Sequence, residues 1–290
     1  MVQLLNPPME RHWLSVHLYS PVDLDLVLLH IVRPFIAQFF GIAASSSFFF
    51  IRYWDEGSHI RLRMQVSPAA EPLLIPSLEQ HIRAIPPLGC QLKMANYEPE
   101  IARYGGAHTI HFAEQYFFLS SRYVLSHIVP KAGTRSILTD ALYLQLTLLK
   151  ALRWEMPRLC QLLDYFIAGW IRRLYDPQKD PQAEHIFWLS QFEENFNKKA
   201  QAFCPGTAAL WEALEQGESD EPGRFIQQSE LVLRDYLSAV NDTQKSLEIC
   251  ASLMHMNNNR VGLSNLDEAY AGYCLLRCLR YILSNTYHNK

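Results

Sequence analysis

The sequence predicts an α+β protein: a ferredoxin-like split βαβ sheet in the N-terminal part, followed by a mostly helical C-terminal part. Three observations predict it. The first hundred residues switch between period-two and helical spacings in the order β-α-β-β-α-β. A double glycine, Gly105-Gly106, then punctuates the chain. From His108 onward almost every apolar pattern has helical spacing. The expected division is residues 1–106 and 107–290, acting together as one functional unit.

The elements follow in order. Residues 12–19 (HWLSVHLY) alternate apolar and polar and are rich in β-formers, which predicts a strand ended by Ser20-Pro21. Residues 22–40 carry helical spacing. Their charges and Pro34 interrupt the apolar run, so a buried helix is expected and not a membrane span. Residues 47–54 (SFFFIRYW) and 59–66 (HIRLRMQV), joined by the turn Asp55-Glu56-Gly57-Ser58, predict a hairpin. A helix over 70–85 and a fourth strand over 91–97 complete the sheet. Helices are then expected over 110–128, 136–153, 157–175, 182–199, 223–240, 243–255 and 266–287. Pro205-Gly206 and residues 216–222 are expected as loops.

Composition narrows the function. The 290 residues are 49% hydrophobic and 19% charged, enough apolar material for a sizeable core. The formal net charge of −3 gives no global attraction for nucleic acid, and an anionic ligand would need a local basic site. No basic start with an apolar run opens the chain, so a cytoplasmic protein is expected. The six cysteines form no CxxC pair and no zinc-ligand cluster, which predicts reduced core thiols, no metal and no cofactor. No nucleophile elbow, dinucleotide fingerprint or phosphate loop is present.

Three segments could carry chemistry. In His59-Ile60-Arg61-Leu62-Arg63, the two arginines lie two apart on a strand and share a face with His59. Two guanidinium groups side by side favour an anion between them, and a carboxylate suits their planar forks. The pattern is equally that of an ordinary amphipathic strand. The second segment, Asn96 to Gly106 (NYEPEIARYGG), follows the fourth strand. Pro99 suits a first helical turn, and Glu100 and Arg103 would pair on it; a routine surface ion pair looks the same. In the third, residues 252–262 (SLMHMNNNRVG), a helix runs into His255 and three asparagines then interrupt it. A histidine at a helix end suits proton transfer, and also simple capping.

Taken together these segments resemble a known family. RHWLSVHLY, then FFFIRYWDEGSHIRLR, then YEPEIARYGG with Glu114 following, and finally HMNNNRVG are similar to the C-terminal domain of lantibiotic dehydratases and to thiopeptide-type bacteriocin biosynthesis proteins. The resemblance spans residues 11 to about 262. It implies a lyase that expels glutamate from glutamylated serine or threonine of a precursor peptide, leaving dehydroalanine or dehydrobutyrine. It implies Arg61, Arg63, Glu100, Arg103 and His255 as catalytic residues and His59, Tyr97 and Arg260 as substrate-binding residues. The expected partners are the precursor peptide, leader and core, and a separate glutamyl-tRNA-dependent glutamylating protein, since the chain leaves no length for that part. Neither direct nucleic-acid binding nor a membrane is expected. Two alternatives stay open: a relative that joins dehydroalanines by a formal aza-[4+2] cycloaddition to form a pyridine-type ring, and a non-catalytic precursor-binding subunit.

Overall fold

The computed structural model describes residues 11–40, 47–216 and 220–288. The polar opening segment up to Glu10, Ser45 and Ser46, and the middle of the loop expected over 216–222 lie outside the described residues. Contacts divide the chain into two compact units. One comprises the described part of Met1–Pro99 with Phe117–Thr134, the other Glu100–Tyr116 with the described part of Arg135–Lys290.

The first unit is built on a four-stranded antiparallel sheet. Its strands are β1 (His12–Tyr19), β2 (Phe48–Tyr53), β3 (His59–Val66) and β4 (Gln91–Ala95), in the order β2-β3-β1-β4. Register pairs His17 with Arg61 and Ser15 with Arg63 across β1 and β3, and Tyr53 with His59 across the hairpin. Alternation then sends Ile60, Leu62, Met64, Leu14, Val16 and Leu18 to one face, where all are buried. Arg61, Arg63 and His17 point to the other. Between β1 and β2 run α1 (Leu24–Val27), a π turn (Leu28–Val32) and α2 (Arg33–Phe40) as one continuous helix. Pro34 cannot donate into this ladder, and wider turns are one way a helix absorbs such a break. Arg52 on β2 is buried on an ion pair with Asp25 of α1. α3 (Glu71–Arg83) links β3 to β4. The Ser121 hydroxyl accepts the Phe50 N–H at 3.2 Å, which covers an outer-edge donor of β2.

α4 (Ile110–Tyr123) continues through a π turn over Val124–Ile128. The second unit is helical: α5 (Ile137–Ala151), α6 (Met156–Ile171), α7 (Pro181–Asn197), α8 (Ala200–Gln216), α9 (Glu221–Val240), α10 (Thr243–Val261) and α11 (Glu268–His288). α11 lies along α6, and α5 packs against α9 and α10. At Gly272 of α11 a Cβ would meet Phe166 and Ile167 at 3.0 and 3.1 Å, so the missing side chain sets how near the two helices approach.

Four expectations need correction. β4 ends at Ala95, two residues before Tyr97. Residues 100–106 form successive turns and not a short helix. Pro205-Gly206 is not a loop: Pro205 lies inside α8. It frees the carbonyl of Gln201, a residue on the exposed side of the helix. The three asparagines do not interrupt α10 either. The amides of Asn257 and Asn258 have buried partners, and the helix runs on to Val261. It stops at Gly262, which adopts φ +84° while the Gly262 and Leu263 N–H groups close on the Asn259 and Asn258 carbonyls at 3.0 Å each. His255 is therefore two turns inside a helix and does not cap one.

No disulfide joins the cysteines, and all but the half-buried Cys90 are enclosed. Among the described residues no helix is long and apolar enough to cross a membrane, and no group of three or more His, Cys, Asp or Glu is placed to hold a metal.

Candidate active site

Each unit carries part of the expected machinery. In the first, the face of β3 opposite the aliphatic core presents buried His59 and half-buried Arg61 and Arg63 in a row. The His59 Nδ1–H donates to the Gly57 carbonyl at 2.7 Å, because a carbonyl can only accept. Its Nε2 then accepts from Arg61 Nε at 3.2 Å. A second proton on His59 would put two donors face to face. Burial, followed by the neighbouring Arg61 charge, accordingly lowers its pKa. His17 stacks on His59 with centroids 4.8 Å apart, and burial reinforced by Arg61, His59, Arg63 and Lys93 drops its pKa to about 4. The Arg61 guanidinium lies 3.4 Å from the Tyr53 ring centroid, and that of Arg63 lies 4.8 Å from Tyr97 and 5.3 Å from Phe49. Tyr97, although outside the strand, thus reaches the arginine face, where it meets Trp13 and Phe49 edge-on. Both histidines stay neutral while three cations, Arg61, Arg63 and Lys93, share the face. That is an electrostatic setting for a negatively charged group.

In the second unit, the turn after Pro99 sets Arg103 against α10. Gly105 and Gly106 take φ +93° and +123°. A Cβ on Gly105 would lie 2.9 Å from Thr109 Oγ1 and 3.3 Å from Ile249, so the turn can press onto α10 only with glycine there. The Tyr104 carbonyl accepts from both the Thr109 and Tyr236 hydroxyls at 2.8 Å, which locks the turn. Arg103 Nε then donates to Ser252 Oγ at 3.1 Å, and its Nη1 pairs with Glu100 at 3.0 Å.

Ser252 and His255 are three apart on α10, one turn along the same face. They line a cleft of about 330 Å³ with Arg103, Trp170, Arg173, Lys245 and Glu248. Lys245 pairs with Glu248 at 3.1 Å and Arg103 with Glu100, so the lining keeps an excess of one positive charge, with Arg173 beside them. Trp170 covers the imidazole, with ring centroids 4.8 Å apart, and holds the Arg173 guanidinium 4.1 Å from its own centroid. Behind His255, its Nδ1–H donates to Glu268 Oε1 at 2.7 Å, and Asn258 Nδ2 donates to the other carboxylate oxygen at 3.1 Å. Glu268 is fully enclosed. Burial raises its pKa against the lowering effect of these two donors.

Of the eight residues singled out in the sequence, His59, Arg61, Arg63 and Tyr97 fall together on the sheet face. Arg103 and His255 line the cleft, and Glu100 braces Arg103. Arg260 is wholly buried, inside the second unit and away from solvent. Sequence reasoning missed Arg173, Lys245, Ser252 and Glu268. Glu268 follows the α10 cap by six residues, and no local pattern points back to His255.

Residues 13–279 match the lantibiotic biosynthesis dehydratase C-terminal family. The chain belongs to that family. The match takes in both units and supports a role in the biosynthesis of ribosomal peptide natural products. Among solved structures, the tRNA-dependent lantibiotic dehydratase MibB from Microbispora sp. 107891 superposes with a TM-score of 0.62 at 19% identity, over 96% of this chain. The chain spans only 28% of that dehydratase. TbtD, the pyridine synthase of thiomuracin biosynthesis, gives 0.68 at 15% identity over 97% of this chain and all of its own. TsrL gives 0.62 at 16% identity over 95% of both chains. Identities this low establish a shared fold. No curated protein sequence matches the chain.

Proposed function

We propose that this family member eliminates glutamate from glutamylated serine or threonine residues of a precursor peptide, giving dehydroalanine or dehydrobutyrine. The observation that supports it most is the cleft around His255, where one proton-transfer group sits beside three cations. β-Elimination needs that pairing. A proton leaves the α-carbon, a carbon–carbon double bond forms, and the Cβ–O bond breaks with its electrons moving onto the departing carboxylate. His255 moves the proton. Arg103, held by Ser252 and Glu100, stabilises the negative charge that develops, and removal of one such donor costs about 100- to 1000-fold in rate. Arg173 and Lys245 receive the carboxylates of the leaving glutamate. Arg61 and Arg63 on the sheet face, with His59 and Tyr97 beside them, supply a second anion-binding element required for turnover. The glutamyl ester comes from a separate glutamyl-tRNA-dependent protein.

A second reading, ring closure between two dehydroalanines, rests on the likeness to the pyridine synthase, whose whole length this chain covers. One experiment separates the two. Glutamylated precursor peptide is incubated with the purified protein and followed by mass spectrometry. Release of glutamate with gain of dehydroamino acids is the expected result, and Arg103→Ala and His255→Ala should abolish it. An intact ester, together with cyclisation of a dehydroalanine-containing peptide, would establish the second reading instead.

A further inference from the structure

The hydrogen bonds behind His255 have a direction, and it sets which nitrogen of the ring is turned to the cleft. Gln145 Nε2 donates to the Met254 carbonyl at 2.8 Å and to Asn258 Oδ1 at 2.7 Å, which fixes the orientation of the Asn258 amide. Asn258 must then present its nitrogen to Glu268, as it does at 3.1 Å. That leaves the other carboxylate oxygen to the His255 Nδ1–H, 2.7 Å away. Gln145, Asn258 and Glu268 are all buried, so water does not compete for any link. With Glu268 ionised, every donor and acceptor in this chain of contacts has one allowed role.

We infer that Glu268 is a positioning residue that holds His255 as its Nδ1–H tautomer, so that Nε2 is the atom accepting the α-proton. This rests on the eliminase reading and makes His255 the base rather than the acid. In the step, the Cα–H bond breaks, Nε2 takes the proton, and the positive charge that appears on the imidazole faces the Glu268 carboxylate. A neutral partner in place of Glu268 would forfeit that stabilisation. Carboxylate support of a base from its far side acts through orientation and charge without touching substrate.

Glu268→Gln tests it sharply. Asn258 still claims an oxygen on residue 268, so the new amide nitrogen must face His255 Nδ1 and donate to it. The imidazole is then driven to carry its proton on Nε2, where a base must be empty. The expected result is a kcat lower by about 100-fold or more with KM little changed. Spectra of ¹⁵N-labelled histidine should show the Nδ1–H form in the parent protein and the Nε2–H form in the variant. Glu268→Asp keeps the charge, so it should retain the Nδ1–H form and recover part of the rate. It also serves if the glutamine variant fails to fold. Parent-like kcat in folded Glu268→Gln, or an unchanged tautomer, overturns the inference. A parent protein that releases no glutamate overturns the eliminase reading instead, and the tautomer comparison then decides by itself whether Glu268 fixes Nε2 as the open atom.

Discussion

Arg61 makes two contacts at once that a single ammonium cannot combine: its Cζ lies 3.4 Å from the Tyr53 ring centroid while its Nε–H donates to His59. Arg61→Lys keeps the charge but not the pair of contacts, so it should fall at least 10-fold below the parent in a glutamate-release assay. Parent-like activity of the lysine variant would show that only charge matters at this position. Arg260 calls for a different outcome. It is among the largest fully enclosed side chains, on the same helix as His255. Truncation leaves a void and disturbs buried polar neighbours, so Arg260→Ala should cost roughly 3 kcal/mol in denaturant unfolding. Binding of an anionic peptide per folded molecule should remain unchanged. A variant that folds with parent stability but loses binding would return Arg260 to the substrate-contacting set.

At the scale of elements, Gly262 and the asparagines before it form one device. The left-handed φ of +84° at Gly262 ends α10 and lets the chain turn toward α11, which brings Glu268 back to His255. An alanine there must adopt a conformation disfavoured by about 1 kcal/mol, and Gly262→Ala should lower unfolding free energy by that amount. Release of glutamate should fall as well, because the return of Glu268 depends on this turn. Strands β1 and β3 were legible to the residue, since their period-two alternation coincides with burial of one face. Proline and asparagine misled where tertiary context overrode local preference. Pro205 is tolerated in a helix where the residue whose carbonyl it frees, Gln201, is exposed, and Asn257 and Asn258 continue α10 because Tyr116, Gln145 and Glu268 take up their amides. For the same reason the site was only half legible. The arginines and His255 stand in motifs, whereas Glu268, Arg173 and Lys245 reach Arg103 and His255 solely through helix packing within the second unit.

For the molecule as a whole, the neutral histidines of the sheet face set an acid limit. An unfolded chain protonates His17 near its ordinary 6.5, but the folded chain does so only near 4. Between those values the unfolded state binds the extra proton, so stability is intact above pH 6.5 and falls as the pH drops toward 4. Melting temperatures measured from pH 7 to pH 4.5 should therefore decline, and His17→Asn should decline less. Equal slopes for the two proteins would place the acid sensitivity elsewhere.

If the arginine row holds a carboxylate, as proposed above, the same pair of rings couples its binding to protons. Burial and the surrounding cations keep His17 and His59 deprotonated. A carboxylate settling among Arg61, Arg63 and Lys93 offsets the cationic part of that effect, so occupancy draws protons from solution. Titration calorimetry with an acidic peptide near pH 6 should give heats that differ between buffers of unequal ionisation enthalpy, and affinity should tighten as the medium is acidified. On that reading the face would register the charge of its ligand as an exchange of hydrogen ions with its surroundings.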